Sequence, residues 1–100
     1  MNFEELHNYY EQLVIQHIVQ TLVRPGESPD EDYLQDVACV ALNQLPARYV
    51  RHEVDLAFYM PAQERQEMLA SVQRAVETAA RFVAQHHGEN RPQTITVEQP

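Results

Sequence analysis

Apolar side chains recur every three or four positions along residues 3–23, a spacing that predicts an amphipathic helix. The stripe consists of Phe3, Leu6, Tyr10, Leu13, Val14, His17, Ile18, Thr21 and Leu22. Pro25 disfavours helical geometry at Arg24, and Gly26 permits a tight turn, so the helix is predicted to end there.

A second helix is predicted over residues 29–44, because Ser28, Pro29 and Glu31 form a capping box with Ser28 as N-cap. Its apolar residues leave little polar face, so the helix is expected to be central; they are Tyr33, Leu34, Val37, Ala38, Val40, Ala41, Leu42 and Leu45. Cys39 is therefore expected to be a buried small side chain. Asn43 and Pro46 are expected to end this helix.

Residues 47–60 carry an alternating pattern that favours an extended strand or arm. A short helix over 52–59 is the competing interpretation. A lone strand needs a partner. The candidates are the same segment of another subunit and the short run at residues 94–97.

The longest predicted helix covers residues 61–87 and carries two adjacent apolar stripes. One stripe comprises Leu69, Val72, Val76, Ala79, Val83 and His86, and the other Met68, Ala75 and Phe82. Two stripes on one helix indicate burial on more than one side, which predicts a partner helix from a second copy. Gly88 is a candidate C-cap. Residues 1–88 are thus predicted to form a single domain and 89–100 a polar tail, giving a mainly α fold: a three-helix domain with a short extended arm, in an intertwined homodimer.

The composition excludes several classes of chemistry. The chain has a net charge of −8, seven arginines and no lysine, two glycines and one cysteine. A Schiff-base lysine, a P-loop, an internal disulfide and a cysteine-rich zinc site are excluded. No catalytic residues or cofactors are predicted, and the chain is not expected to be an enzyme. With no signal-like or membrane-spanning run, a cytoplasmic location is expected.

The acidic residues are concentrated in the first half of the chain. Residues 1–45 hold eight acids and one arginine, whereas residues 46–100 hold seven acids and six arginines. The net charge disfavours DNA as a partner. Any site for a small anion is therefore expected in the second half.

The end of the second helix carries a distinctive motif. It contains Asp36, Val37, Ala41, Leu42, Asn43, Leu45, Pro46, Arg48, Tyr49 and Val50. This segment resembles the late-competence ComFB family, whose signature runs D-V-x-x-L-A-L-N-x-L-P-P-R-Y-V. Upstream, Asn8, Glu11, Leu13 and Val14 are similar to the family's N-x-x-E-x-L-V opening. Ala47 replaces the second proline of the signature.

The resemblance implies a small, helical, dimeric bacterial regulator linked to natural competence or type IV pilus function. Some family members are described as receptors for cyclic di-GMP or cyclic di-AMP. Others carry a zinc-binding cysteine cluster before the D-V motif; residues 28–34 contain no cysteine, so no zinc or other metal is predicted here.

Four residues are the candidate ligand contacts: Arg48, Tyr49, Arg51 and His52. Arginine can bind a phosphate or a guanine edge with two parallel hydrogen bonds, and tyrosine can stack on a base. The alternative is structural, with Arg48 paired to Asp36 or Glu11 and Tyr49 packed on the central helix. A pure interaction module, with an unknown protein partner and no small ligand, is the rival function.

Five further residues are expected to have structural roles in the motif: Asn8, Glu11, Asp36, Asn43 and Pro46. Asn43 is expected to adopt left-handed geometry after its helix. Glu4, His7 and Glu11 share a spacing that would place them on one helical face, which is read as a solvated face rather than a metal site.

Overall fold

The computed structural model describes residues 1–86, which are mainly helical. The elements are β1 (His7–Asn8), α1 (Tyr9–Leu22), α2 (Glu31–Asn43), β2 (Tyr49–Val50), α3 (Glu53–Tyr59) and α4 (Ala62–His86). The predicted three-helix domain is confirmed in α1, α2 and α4, and α3 is an additional short helix. The predicted C-cap at Gly88, the tail and the run at 94–97 lie outside the described residues.

The first helix begins six residues later than predicted. Asn8 has extended geometry (φ −86°, ψ 115°) and its side chain accepts a hydrogen bond from the Tyr10 amide, so it is the N-cap of α1. Residues 7 and 8 are held in β1 instead. Phe3 and Leu6, which the periodicity placed on the buried stripe, are 67% and 52% exposed.

The start of α2 also differs from the prediction. Asp30, not Ser28, is the N-cap, and its side chain accepts from the Tyr33 amide at 3.2 Å. Aspartate is as good an N-cap as serine, so the sequence contains two candidate N-caps, two residues apart. The predicted end of α1 is confirmed, since Val23 is extended and Gly26 has φ 82°.

The segment 47–60 is not one strand. Only Tyr49 and Val50 are extended into a ladder, and the residues from Glu53 to Tyr59 are helical, as in the competing interpretation. The alternating apolar pattern also fits a helix, because Leu56 and Met60 are four positions apart and so share one helix face. Both side chains pack on the core. Among the described residues the strand partner is β1, antiparallel with His7 opposite Val50, which was not among the predicted candidates.

The core lies among α1, α2 and α4, which pack against one another. Its fully buried valines are Val14, Val37, Val72, Val76 and Val83, and Ala41 and Ala79 are also fully buried. Tyr33 ties α2 to α4 by donating from its hydroxyl to the Ala80 carbonyl at 3.3 Å, and burial raises the pKa of that hydroxyl.

The two stripes of α4 are covered inside one chain. Met68 and Ala75 from the second stripe are as buried as Val72 and Val76 from the first, because α1 packs on one side and α2 on the other. Most residues of the two stripes are therefore buried without a partner helix, and the predicted homodimer stays a prediction. Leu69 and Phe82 remain 44% and 38% exposed at the edges of the stripes.

Within residues 1–86, no helix combines the length and the apolar character needed to cross a membrane.

Candidate functional site

The end of the motif is fastened to the start of α1 by its backbone. The Asn8 Oδ1 atom accepts hydrogen bonds from the amides of Arg48, at 2.9 Å, and Tyr10, at 3.2 Å. The Tyr9 amide donates to the Arg48 carbonyl at 2.7 Å. The amide and the carbonyl of Arg48 are thus held by the N-cap and the first residue of α1, and the following residues continue into the β1–β2 ladder. One side chain, Asn8, serves as helix cap and as anchor for the motif.

The side chain of Arg48 points towards the start of α4. Its Nη2 atom lies 3.3 Å from a Glu64 carboxylate oxygen, and both side chains are about two-fifths exposed. The structural alternative correctly expected an ion pair, but the acid is Glu64 rather than Asp36 or Glu11. The Arg48 Nε atom is buried with no hydrogen-bond partner among the described residues. Arg48 therefore connects the motif to α4 and keeps one donor unused.

Two tyrosines of α1 line the same junction. Tyr10 is buried, and that burial raises the pKa of its hydroxyl; the nearby Glu64 carboxylate raises the pKa further, while Arg48 lowers it. The Arg65 guanidinium donates to the Tyr9 hydroxyl at 3.4 Å. Sequence reasoning did not single out Glu64 or Arg65, because nothing local to α4 indicates that its first turns meet α1.

Tyr49 and Arg51 are both exposed, on either side of the buried Val50. Successive side chains of a strand alternate between faces, and Val50 is buried whereas Tyr49 is 63% exposed. The expected packing of Tyr49 on the central helix is therefore wrong. Of the four predicted contacts, Arg48 is half-buried beside Glu64, whereas Tyr49, Arg51 and His52 are exposed.

Arg51 and His52 converge on one carboxylate from the N-terminal segment. The Arg51 Nε atom donates to Glu5 Oε1 at 2.8 Å, and His52 Nε2 lies 3.8 Å from the same oxygen. A second histidine, His7, stands 4.0 Å from Glu53 on α3. Glu5 was not predicted to belong to this site. It is brought there because β1 turns the N-terminal segment back alongside β2.

A shallow cleft of about 660 Å³ opens beside Arg51. It is lined by Asn2, Phe3, Glu4, Glu5, Leu6 and Arg51. The volume falls within the range of about 300–1,000 Å³ that is usual for small-molecule sites. Its charged groups have opposite signs, so an anionic ligand would compete with Glu5 for the Arg51 guanidinium.

The hydrogen bond from Arg51, followed by the positive charges of Arg51 and His52, lowers the pKa of Glu5 from its ordinary value of 4.5. Because the folded-state pKa is lowered, this contact stabilises the fold above pH 4.5, and its contribution is lost as the pH falls through the lowered pKa. We expect Arg51→Ala to raise the pKa of Glu5 towards 4.5. Titration of the Glu5 side-chain carboxyl by NMR measures this change.

The exposed Arg81 on α4 provides the control for that titration, since Arg81→Ala removes the same charge elsewhere. An unchanged Glu5 pKa in Arg51→Ala would contradict the contact. An equal rise in both variants would show an effect of overall charge alone.

The remaining motif residues have separate positions. Asp36 is buried in α2, and Pro46 is exposed in the turn that follows. Asn43 is the last residue of α2, and its side chain donates to the Cys39 carbonyl at 3.0 Å. No non-glycine residue of the described chain has positive φ, so the expected left-handed geometry at Asn43 is wrong. Cys39 is half-buried rather than buried, and Glu11 is exposed in the first turn of α1.

Glu4, His7 and Glu11 do not share a helical face, because α1 begins only at Tyr9. In the part of the chain that the structure describes, no group of three or more histidine, cysteine, aspartate or glutamate residues is arranged to hold a metal ion.

Comparison with protein families gives a match over residues 7–87 to the family described as Late competence development protein ComFB. The matched range extends from β1 through α4, well beyond the motif itself. Curated proteins and solved structures give no match.

Proposed function

The chain belongs to the ComFB family of late competence development proteins, and on that premise we propose that it is a small regulator of bacterial competence and type IV pilus function that binds a cyclic dinucleotide. The observation that carries the proposal is the exposed surface at β2. Tyr49 and Arg51 are both exposed there, on either side of the buried Val50, on a backbone that is hydrogen-bonded to the start of α1.

The chemistry of this face suits a ligand with flat bases and phosphates. Tyr49 is exposed enough to stack on a base, and such stacking is worth about 1–3 kcal/mol per base. The Arg51 guanidinium can form two parallel hydrogen bonds with a phosphate in place of its single bond to Glu5. His52 beside Arg51 adds a further donor.

Arg48 has a positioning role in this proposal. Its guanidinium pairs with Glu64 on α4, so it helps to orient the strand that carries Tyr49. The unused Nε donor leaves it able to add a hydrogen bond to a ligand that reaches the junction.

Isothermal titration with cyclic di-GMP and with cyclic di-AMP tests the proposal. We expect binding of at least one ligand and a loss of roughly 5- to 150-fold in affinity for Tyr49→Ala, the range that corresponds to about 1–3 kcal/mol. Arg51→Ala is expected to lose about tenfold or more, since a hydrogen bond to a charged group contributes about 1.5–3 kcal/mol. Glu5→Gln is expected to bind more tightly, because it removes the carboxylate that competes for Arg51.

Matched controls exist on the same chain. Tyr59→Ala removes another exposed tyrosine, and Arg81→Ala another exposed arginine; both are expected to bind as the unmodified chain does. If neither nucleotide gave binding heat on titration, the receptor proposal would be refuted.

The second candidate is a protein-interaction module of the competence system without a small ligand. The observation in its favour is the exposed apolar surface, which includes Val54, Phe58 and Tyr59 on α3 as well as Ile15 and Val19 on α1. Arg48→Ala separates the candidates. A receptor with a repositioned strand binds the nucleotide more weakly, whereas a module without a ligand changes only in stability.

A further inference from the structure

A small polar cleft lies where the turn after α2 meets α1 and the middle of α4. Its volume is about 290 Å³, and five polar side chains contribute to its lining: Tyr10, Gln44, Ser71, Arg74 and Thr78. The exposed side chains at β2 do not line it. The cleft is therefore separate from the surface proposed to bind the nucleotide.

The polar side chains that α4 contributes form one row along the helix. Ser71, Arg74 and Thr78 are spaced by three and four positions, and such positions lie on the same face of a helix. Ala75, next to Arg74, is buried, so this side of α4 adjoins the rest of the domain. Gln44, the C-cap residue of α2, lines the same cleft. Hydrogen-bonding groups from α4 and from the end of α2 thus meet in a small volume.

Arg74 is the charged residue of the cleft, and a hydrogen bond already orients it. Its Nη2 atom donates to the Ser71 hydroxyl at 3.2 Å. Because the Ser71 oxygen accepts this bond, its hydroxyl proton remains available to donate to a ligand. Within residues 1–86, no carboxylate lies at ion-pair distance from the Arg74 guanidinium, whereas Arg48 and Arg51 each have such a partner. Arg74 therefore keeps its charge and its other N–H donors for a bound anion.

Acidic side chains are close to the cleft along the chain but do not line it. Glu67 and Glu77 each accept a hydrogen bond from a glutamine one turn earlier on α4, at 3.3 and 3.4 Å. Glu64 is paired with Arg48, and Glu11 is exposed in the first turn of α1. These acids lower the local potential, but none of them occupies the place of a ligand.

Two other clefts that contain arginine differ in this respect. The cleft beside Arg51 includes two glutamates in its lining, and the cleft that contains Arg81 includes Glu77. An anion that bound there would have to displace or approach a carboxylate. The lining around Arg74 contains no carboxylate, so an anion meets only neutral and positive groups.

We propose that this cleft binds phosphate, either as the free anion or as the phosphate group of a small phosphorylated compound. An arginine guanidinium binds phosphate oxygens through two parallel N–H donors. The hydroxyls of Ser71 and Thr78, one turn to either side of Arg74, and the Gln44 amide supply donors for the oxygens that the guanidinium leaves. This site is additional to the nucleotide surface at β2 and does not depend on it.

The size and the apolar part of the cleft limit the ligand. Its volume of about 290 Å³ is at the lower end of the usual range of about 300–1,000 Å³ for small-molecule sites. Leu45, Pro46 and Ala75 complete the lining and can contact a small organic group beside the phosphate. Because one arginine in an open cleft supplies the charge, we expect a dissociation constant on the order of 1 mM.

Titration of the full chain, followed by ¹H–¹⁵N NMR spectra at constant ionic strength, tests the proposal. The ligands are sodium phosphate and phenyl phosphate. With at least one of them we expect saturable shifts of the amides of Gln44, Ser71, Arg74 and Thr78. Tighter binding of phenyl phosphate would identify a phosphate ester as the ligand class, and tighter binding of phosphate would identify the free anion.

Arg74→Ala is expected to weaken phosphate binding by about tenfold or more, because hydrogen bonds from a charged donor are lost. Ser71→Ala is expected to weaken it by roughly two- to tenfold, as for a neutral hydrogen bond. Because Arg74 is exposed, the melting temperature of its variant is expected to stay unchanged. Arg81→Ala is the matched control, since it removes the same charge two turns further along α4 and is expected to bind phosphate as the unmodified chain does.

Three outcomes would overturn the proposal. The first is the absence of saturable shifts with both ligands at concentrations far above the expected dissociation constant. The second is equal weakening in Arg74→Ala and Arg81→Ala, which would show attraction to positive charge in general. The third is loss of phosphate binding in Arg51→Ala with retention in Arg74→Ala, which would move the anion to the surface at β2.

Discussion

Replacing Asn8 by alanine is expected to lower the free energy of unfolding by about 2–3 kcal/mol. The substitution removes an N-cap, which contributes about 0.5–2 kcal/mol. It also leaves the part-buried Arg48 amide without its acceptor, a loss of about 1–3 kcal/mol when such a group is stranded. For a domain of this size the melting temperature is expected to fall by roughly 10–20 °C, measured by circular dichroism.

Asn8→Asp is the matched control for this effect. Aspartate keeps an acceptor oxygen at the same place and ranks with asparagine as an N-cap, so it is expected to change stability by less than about 1 kcal/mol. If Asn8→Ala melted within a degree or two of the unmodified chain, Asn8 would not be the anchor of the motif.

Enlarging Ala79 to leucine is expected to destabilise the domain by about 1–3 kcal/mol, because extra carbon atoms in a filled core force side chains and backbone to shift. Ala79 is fully buried where α4 packs in the core. Denaturation by urea measures the loss as a lower midpoint at unchanged slope.

Ala70→Leu on the same helix is the control, since Ala70 is exposed and its replacement is expected to stay within about 0.5 kcal/mol. These two variants also test whether the apolar stripes of α4 are buried within one chain. If α4 buried Ala79 against another copy, the effect of Ala79→Leu would depend on protein concentration. Equal destabilisation at low and high concentration supports burial within one chain.

The amphipathic helices could be predicted well from the sequence, and their ends less well. The end of α1 was marked by Pro25 and Gly26, and the body of α2 by its apolar run. The start of α1 was misplaced because periodicity continues through Phe3 and Leu6, while Asn8 is already engaged with the distant Arg48. A hydrogen bond across 40 positions has no local signature.

The candidate site residues form one continuous stretch of the chain, but their contacts were only partly foreseen from the sequence. Arg48, Tyr49, Arg51 and His52 lie in one continuous stretch, and the pattern of the motif pointed to them. Their different exposure follows from a strand of two residues, whereas the alternating pattern over residues 47–60 predicted a longer one. Their partners Glu5 and Glu64 come from the N-terminal segment and from α4.

The sequence by itself determined the family, the three long helices and the acidic surface, because helical periodicity, caps and charge are local properties of a chain. Only the tertiary structure decided which side chains share a surface. It buried most of both stripes of α4 within one chain and left an apolar groove between α1 and α2 open. It also placed Glu64 beside Arg48 and Glu5 beside Arg51. Such pairings depend on how helices pack and on where β1 meets β2, and these are contacts between residues far apart in sequence.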